Sequence, residues 1–256
     1  MQAIKDKLYP VDYSIYYYND RTKYAEKTER SERLHGAFVL MHDDQERDAF
    51  VECLVAWFAR DAEWEGAASA MSDAFKLREM MTPNRLLNAT KWIEATPGTK
   101  PEQAIAKGHI AALSNLMSRE AIKLGYDKIR GRLSNSLGQI AKEQNADRFL
   151  RLVRQLQTRF GADVVGEDLA AWVAEAFTLR GKIAHGPLLR QSEQEYELFA
   201  KAVHAAECFA YLMLISDLPM GEAGRKRVAH ALMVEYYRAG IKGTSPSEFK
   251  KAKSKA

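Results

Sequence analysis

Arg180 and His185 lie five positions apart in the run LRGKIAHG, residues 179–186, and their types suit one chemistry. An imidazole exchanges protons near neutral pH, and a guanidinium is a permanent cation that stabilises charge on phosphoryl oxygens. Together they can support metal-free RNA cleavage, in which a ribose 2′-OH attacks the neighbouring phosphate. Gly186 and Pro187 follow at once and predict a helix end. The imidazole then sits in a last helical turn, whose carbonyls favour the protonated form and hold the pKa near or above the unperturbed ~6.5. Five positions span about 140° of a regular helix, so the two side chains diverge. Either the last turn unwinds, or two copies of the helix meet and share a site across a dimer.

Arg180 is also an anomaly of pattern. Leu169, Trp172, Val173, Ala176, Ile183 and Ala184 fall within about 60° of one direction, and Arg180 lies about 20° from the centre of that stripe. A charge there must be paired, face a cleft or lie at an interface, because an unpaired buried charge costs several kcal/mol. Glu94, near the end of a helix predicted over residues 84–95, is a candidate to orient it. Glu207 interrupts a second stripe formed by Tyr196, Phe199, Ala200, Val203, Ala206, Ala210 and Leu214, and is expected to pair with a buried Arg or Lys well below the level of Arg180.

Arg225, Lys226 and Arg227, with Tyr236 and Tyr237 nearby, are a candidate RNA surface of cations for phosphates and rings for stacking. Packing of a terminal helix competes with that reading. The other histidines show no ligand spacing, and Cys53 and Cys208 alone make neither a zinc site nor a disulfide framework, so no metal and no cofactor are expected. Neither GxxxxGK nor GxGxxG occurs.

The elements that must position these residues are helical. Apolar residues recur at three and four, predicting helices over residues 44–60, 67–80, 84–95, 101–124, 127–143, 146–160, 167–185, 191–218 and 221–239. Short connections favour antiparallel neighbours in a bundle. Two strand-like stretches, 13–18 and 37–41, predict a short β-ribbon over residues 1–43; the helical domain then spans 44–240, and residues 241–256 form a flexible basic tail. The fold class is mainly all-α.

The 256 residues carry 46% hydrophobic and 28% charged side chains, an ordinary globular composition that excludes fibres and disorder. The net charge of +4 is unevenly placed: residues 119–159 carry +6 and residues 221–256 another +6, leaving −8 elsewhere. Two basic segments suit a polyanion partner, although solvated helix faces and a frayed tail produce the same pattern. Apolar runs such as 208–215 are shorter than the ~20 residues of a membrane span, so no membrane partner is expected. The charged N-terminus lacks the core of a secretory signal, and a cytoplasmic location is expected.

The RxxxxH spacing on a late helix, with Ile183, Ala184 and Gly186 around His185, resembles the HEPN superfamily and within it the ApeA-like branch. FVECLVAWFAR at 50–60 and NRLLNATKWIEA at 84–95 are similar to that family's early helices, and Arg132-Leu133 precedes a long basic helix where the family has its own. The resemblance covers roughly residues 44–218. It implies an antiparallel HEPN-type bundle that forms a homodimer through the motif helices, and a metal-independent endoribonuclease of toxin or anti-phage systems with RNA as substrate. The family commonly carries Asn, Asp or His after the arginine, where this chain has Gly181. The resemblance therefore also admits a non-catalytic helical module that binds RNA or a protein. The family's usual β-rich N-terminal domain makes the ribbon a candidate remnant.

Overall fold

A computed structural model describes residues 47–60, 62–77, 81–185 and 193–253. The expected strands at 13–18 and 37–41 and the stop at Gly186 and Pro187 lie outside the described residues, which are helical with one isolated β-bridge. In chain order the helices are α1 (Arg47–Phe58), α2 (Glu65–Leu77), α3 (Pro83–Ala95), α4 (Lys107–Lys123), α5 (Arg130–Ile140), α6 (Asn145–Phe160), α7 (Asp168–His185), α8 (Glu193–Ile215), α9 (Glu222–Val228), α10 (Leu232–Gly240) and α11 (Pro246–Lys253).

The core is built on α8, whose neighbours are α7, α3 and α10; α6 packs on the outer side of α7 and α2 on α3. Trp92 from α3, Phe149 from α6, Trp172 from α7 and Phe199 and Phe209 from α8 are fully buried. Residues 195–215 of α8 are long and apolar enough to cross a membrane by length and composition alone, although charges interrupt its apolar runs; 72% of the apolar window is buried inside the bundle. Both thiols, Cys53 and Cys208, are buried and free.

Local chemistry accounts for the ends of these helices. Pro83 occupies the first turn of α3, where its missing N–H has no partner to lose. Gly161 closes α6 at φ +95, a conformation that side-chain-bearing residues rarely adopt. At the other end of the following turn, the Tyr237 hydroxyl donates to Asp168 Oδ2 at 2.8 Å and accepts from the Gly166 N–H at 3.0 Å, tying α10 to the start of α7. The C-terminus of α8 is met by two arginines: Arg60 donates to the Leu214 carbonyl at 2.6 Å and pairs with Asp217, while Arg159 donates to the Leu218 carbonyl. Cations suit the negative end of a helix. The Arg60 guanidinium also lies over the Trp57 and Trp64 rings, 4.6 and 3.8 Å from their centroids.

Three segments differ from expectation. Residues 101–106 are not helical; the N–H of Ala104 donates to Ala141 and that of Glu143 to Glu102, with a bridge between Gln103 and Lys142, so this backbone bonds across to the end of α5 instead of along a helix. The single helix expected over 221–239 is two, because the chain turns at residues 229–231 and thereby buries both Val228 and Val234. The flexible tail over 241–256 is replaced, as far as it is described, by α11. Ser245 and Glu248 form a capping box in which the Ser245 hydroxyl accepts from the Glu248 N–H at 3.2 Å and Glu248 Oε2 from the Ser245 N–H at 3.1 Å. Phe249 then packs edge-on against Trp172 at 6.2 Å, and Lys250 pairs with Glu175 at 2.8 Å.

Candidate functional site

Arg180 lies on the next-to-last turn of α7, beyond the fully buried stretch that includes Trp172, Val173 and Ala176. Its side chain is 34% exposed and paired, so a charge in this stripe finds a partner at the edge of the core, not inside it. The C-terminal end of α3 supplies its partner. Glu94 Oε1 stands 2.6 Å from Arg180 Nη1, so the structure brings together the two residues that the sequence could only suggest as neighbours.

Two further residues complete the constellation. Phe177, one turn before Arg180, has the Arg180 guanidinium 5.7 Å from its ring centroid on one side and the Arg148 guanidinium at 5.8 Å. Arg148, on the first turn of α6, is buried; it donates through Nε to the Thr99 carbonyl at 2.5 Å and lies over the Phe149 ring at 4.8 Å. Burial pulls its pKa below the ordinary arginine range, and the charges of Glu94 and Glu143 oppose that pull. Glu94 thus sits in the field of two guanidinium groups. Sequence reasoning missed Arg148, although the same signal was present: a charge one turn before Leu152, on the buried side of α6.

His185 is the last residue of α7. On a regular helix its position is about 7.5 Å along the axis and about 140° around from Arg180. Its side chain is outside the described residues.

Glu207 has the kind of partner expected for it. Arg85 Nε and Nη2 each stand 2.7 Å from a Glu207 carboxylate oxygen, a two-pronged pair with both side chains almost fully buried. Arg85 precedes Glu94 by nine residues on α3, about 13.5 Å of helical rise, so this pair is separate from Arg180. Burial drives the Glu207 carboxyl up against the opposing pull of Arg85. His204 lies beside the pair, its Nδ1 3.9 Å from Glu207 and its ring 4.9 Å from that of Tyr236. Burial and then the Arg85 charge hold its pKa down at about 4, because Arg85 already engages the carboxylate that would otherwise favour imidazolium.

The candidate RNA surface on α9 and α10 is corrected in one member. Tyr237 is fully buried with its hydroxyl engaged at the start of α7, so it cannot stack on a base. Lys226 is exposed and paired with Glu222 at 2.7 Å, and Arg225 donates to the Met220 carbonyl at 3.3 Å. Arg227 belongs to the same short helix and is partly exposed. Among the described residues no three His, Cys, Asp or Glu side chains converge. No protein-family model, curated protein or solved structure matches this chain.

Proposed function

We propose that this chain is a HEPN-type, metal-independent endoribonuclease, with Arg180 as the cation that binds and stabilises the reacting phosphate and His185 as the proton-transfer residue. The observation that carries the reading is Arg180 itself: a guanidinium held by Glu94 and flanked by Phe177, yet one third open to solvent, just before the histidine that ends the same helix. That access leaves the guanidinium reachable, and a phosphate oxygen can compete with Glu94 for it.

In the reaction, a base removes the proton of the 2′-OH, O2′ bonds to phosphorus, and the bond from phosphorus to O5′ breaks as O5′ takes up a proton. The products are a 2′,3′-cyclic phosphate and a 5′-hydroxyl. An imidazole titrating near neutral pH serves in one of the two proton transfers. Since positions 180 and 185 diverge around α7, a homodimer through this helix supplies the second half of the site. The resemblance makes a cytoplasmic role in anti-phage defence the natural setting.

The second reading, a non-catalytic module that binds RNA or protein, rests on Gly181. A Cβ added there meets nothing within 4 Å, so the position has room for the polar side chain that the resemblance calls for and carries none. Incubation of the purified chain with total RNA in EDTA separates the two. The nuclease reading expects fragments ending in 2′,3′-cyclic phosphate, lost on His185→Ala and on Arg180→Ala. Cleavage that survives both substitutions removes these residues from the chemistry, and intact RNA with the wild-type chain favours the module.

A further inference from the structure

The hairpin of α4 and α5 stands apart from the bundle. Its helices pack chiefly on each other, and only Ser118 and Ala121 of α4 and Leu137 of α5 are buried. Its base is stitched by the bonds between residues 102–105 and 141–143 and clasped by Arg151, which pairs with Glu143 at 2.8 Å and Glu102 at 3.1 Å. Leu113, Met117 and Leu124 of this arm share one side of the α4 helical repeat, and Ile140 continues the apolar stripe of α5. Leu116 at 58%, Leu124 at 69% and Ile140 at 60% remain exposed. Exposed apolar side chains gathered on one arm are a candidate docking surface. The arm is also cationic: residues 107–142 carry seven Lys and Arg against two acidic residues, +5, and Arg130 and Arg132 flank the α5 stripe.

At the start of the described residues, α1 presents a second exposed apolar face. Cys53 turns into the core, while Val51, Val55 and Phe58 are 50%, 63% and 66% exposed. Spaced i, i+4, i+7, they fall within about 60° of one another, the anchor pattern of a helix laid into a groove. Asp48 and Glu52 line one side of that row and are exposed. Asp48 and Glu52 are the acidic residues of α1, against Arg47 at its first position. The described residues thus hold exposed apolar side chains on two elements, a cationic pair of helices and a single helix that carries Asp48 and Glu52 beside its apolar row.

We propose that α1 of a second copy of this chain docks on the α4–α5 hairpin, with Val51, Val55 and Phe58 as anchors and Asp48 and Glu52 facing Arg130 and Arg132. Made reciprocally, the contact closes a two-fold dimer. It is independent of the nuclease reading and lies on different surfaces from α7.

Light scattering on the full chain at 10–100 μM (about the range where such contacts register) tests this, with helical circular dichroism as the folding control. The wild-type chain is expected to be dimeric or larger. The pair Asp48→Lys/Glu52→Lys, and separately Arg130→Glu/Arg132→Glu, should each weaken association at least about tenfold. An equimolar mixture of the two variants should restore one of the two reciprocal contacts and thus measurable association. Because Cys53 and Cys208 are buried, introduced thiols report directly: Val55→Cys mixed with Ile140→Cys should form a disulfide-linked pair on mild oxidation, and neither alone should. A monomeric wild type, an oligomer indifferent to both charge reversals, or no mixed disulfide overturns the proposal. So does a monomer whose binding to a single-stranded RNA oligonucleotide is abolished by Arg130→Glu/Arg132→Glu, since the arm would then be a nucleic-acid surface.

Discussion

Arg180 and Arg85 each pair with a carboxylate at close range, and the difference in their burial predicts opposite consequences of deleting them. The Arg180 and Glu94 side chains are 34% and 45% exposed, so both ions keep much of their hydration. Pairs of that kind contribute about 0.2–1 kcal/mol, and Arg180→Ala should lower unfolding stability by no more than about 1 kcal/mol. The Arg85 and Glu207 side chains are 3% and 2% exposed. Arg85→Ala strands a buried carboxylate, and removing one partner of such a pair costs about 3–5 kcal/mol. The double replacement Arg85→Met/Glu207→Leu removes both charges together and should return most of that loss. Urea unfolding followed by circular dichroism measures all three. If Arg180 acts on phosphate, Arg180→Ala should also lower RNA cleavage by about 10²–10³-fold with the fold nearly intact. The reasoning is refuted if Arg180→Ala costs as much stability as Arg85→Ala, because Arg180 is then a packing charge and its loss says nothing about chemistry. It is equally refuted if Arg85→Ala costs under about 1 kcal/mol.

His204 should make stability depend on pH. Its folded pKa of about 4 lies below the ordinary histidine value, so between that value and 4 the unfolded chain binds more protons and stability falls as the pH is lowered. The slope approaches about 1.4 kcal/mol per pH unit for one group; thermal melts at stepped pH should show it, and His204→Phe should flatten it. An unchanged slope in that variant would exclude His204 as the source. Tyr237→Phe deletes a hydroxyl that serves both Asp168 and the Gly166 N–H, and should cost about 1–3 kcal/mol. RNA binding should be unaffected once folding is matched; a selective loss of binding would return Tyr237 to the RNA surface.

The order of helices and most of their limits follow from spacing alone, since a repeat of 3.6 residues is a local property. The stripes of α3, α6 and α7 can be read without knowing their neighbours. So can the anomalies of Arg180 and Glu207, because a charge among apolar residues stands out in one dimension. The segment at 101–106 was illegible for a related reason: its backbone bonds to residues some forty positions on, and nothing in its own spacing records that choice. The tail residues of α11 looked like a solvated run, and what holds them is Phe249 meeting Trp172 on another helix.

Taken by itself, the sequence determined that this is a helical chain, which faces of its helices seek cover, and which charges must find a partner. The tertiary structure alone decided who those partners are. Arg85 reaches Glu207 across 122 positions, Glu94 rather than any nearer carboxylate holds Arg180, and Tyr237 turns inward to the start of α7 while Tyr236 faces His204. The physical reason is that periodicity fixes the direction of a side chain about its own helix axis. Which helix lies in that direction, and at what height, is set by packing the whole bundle at once.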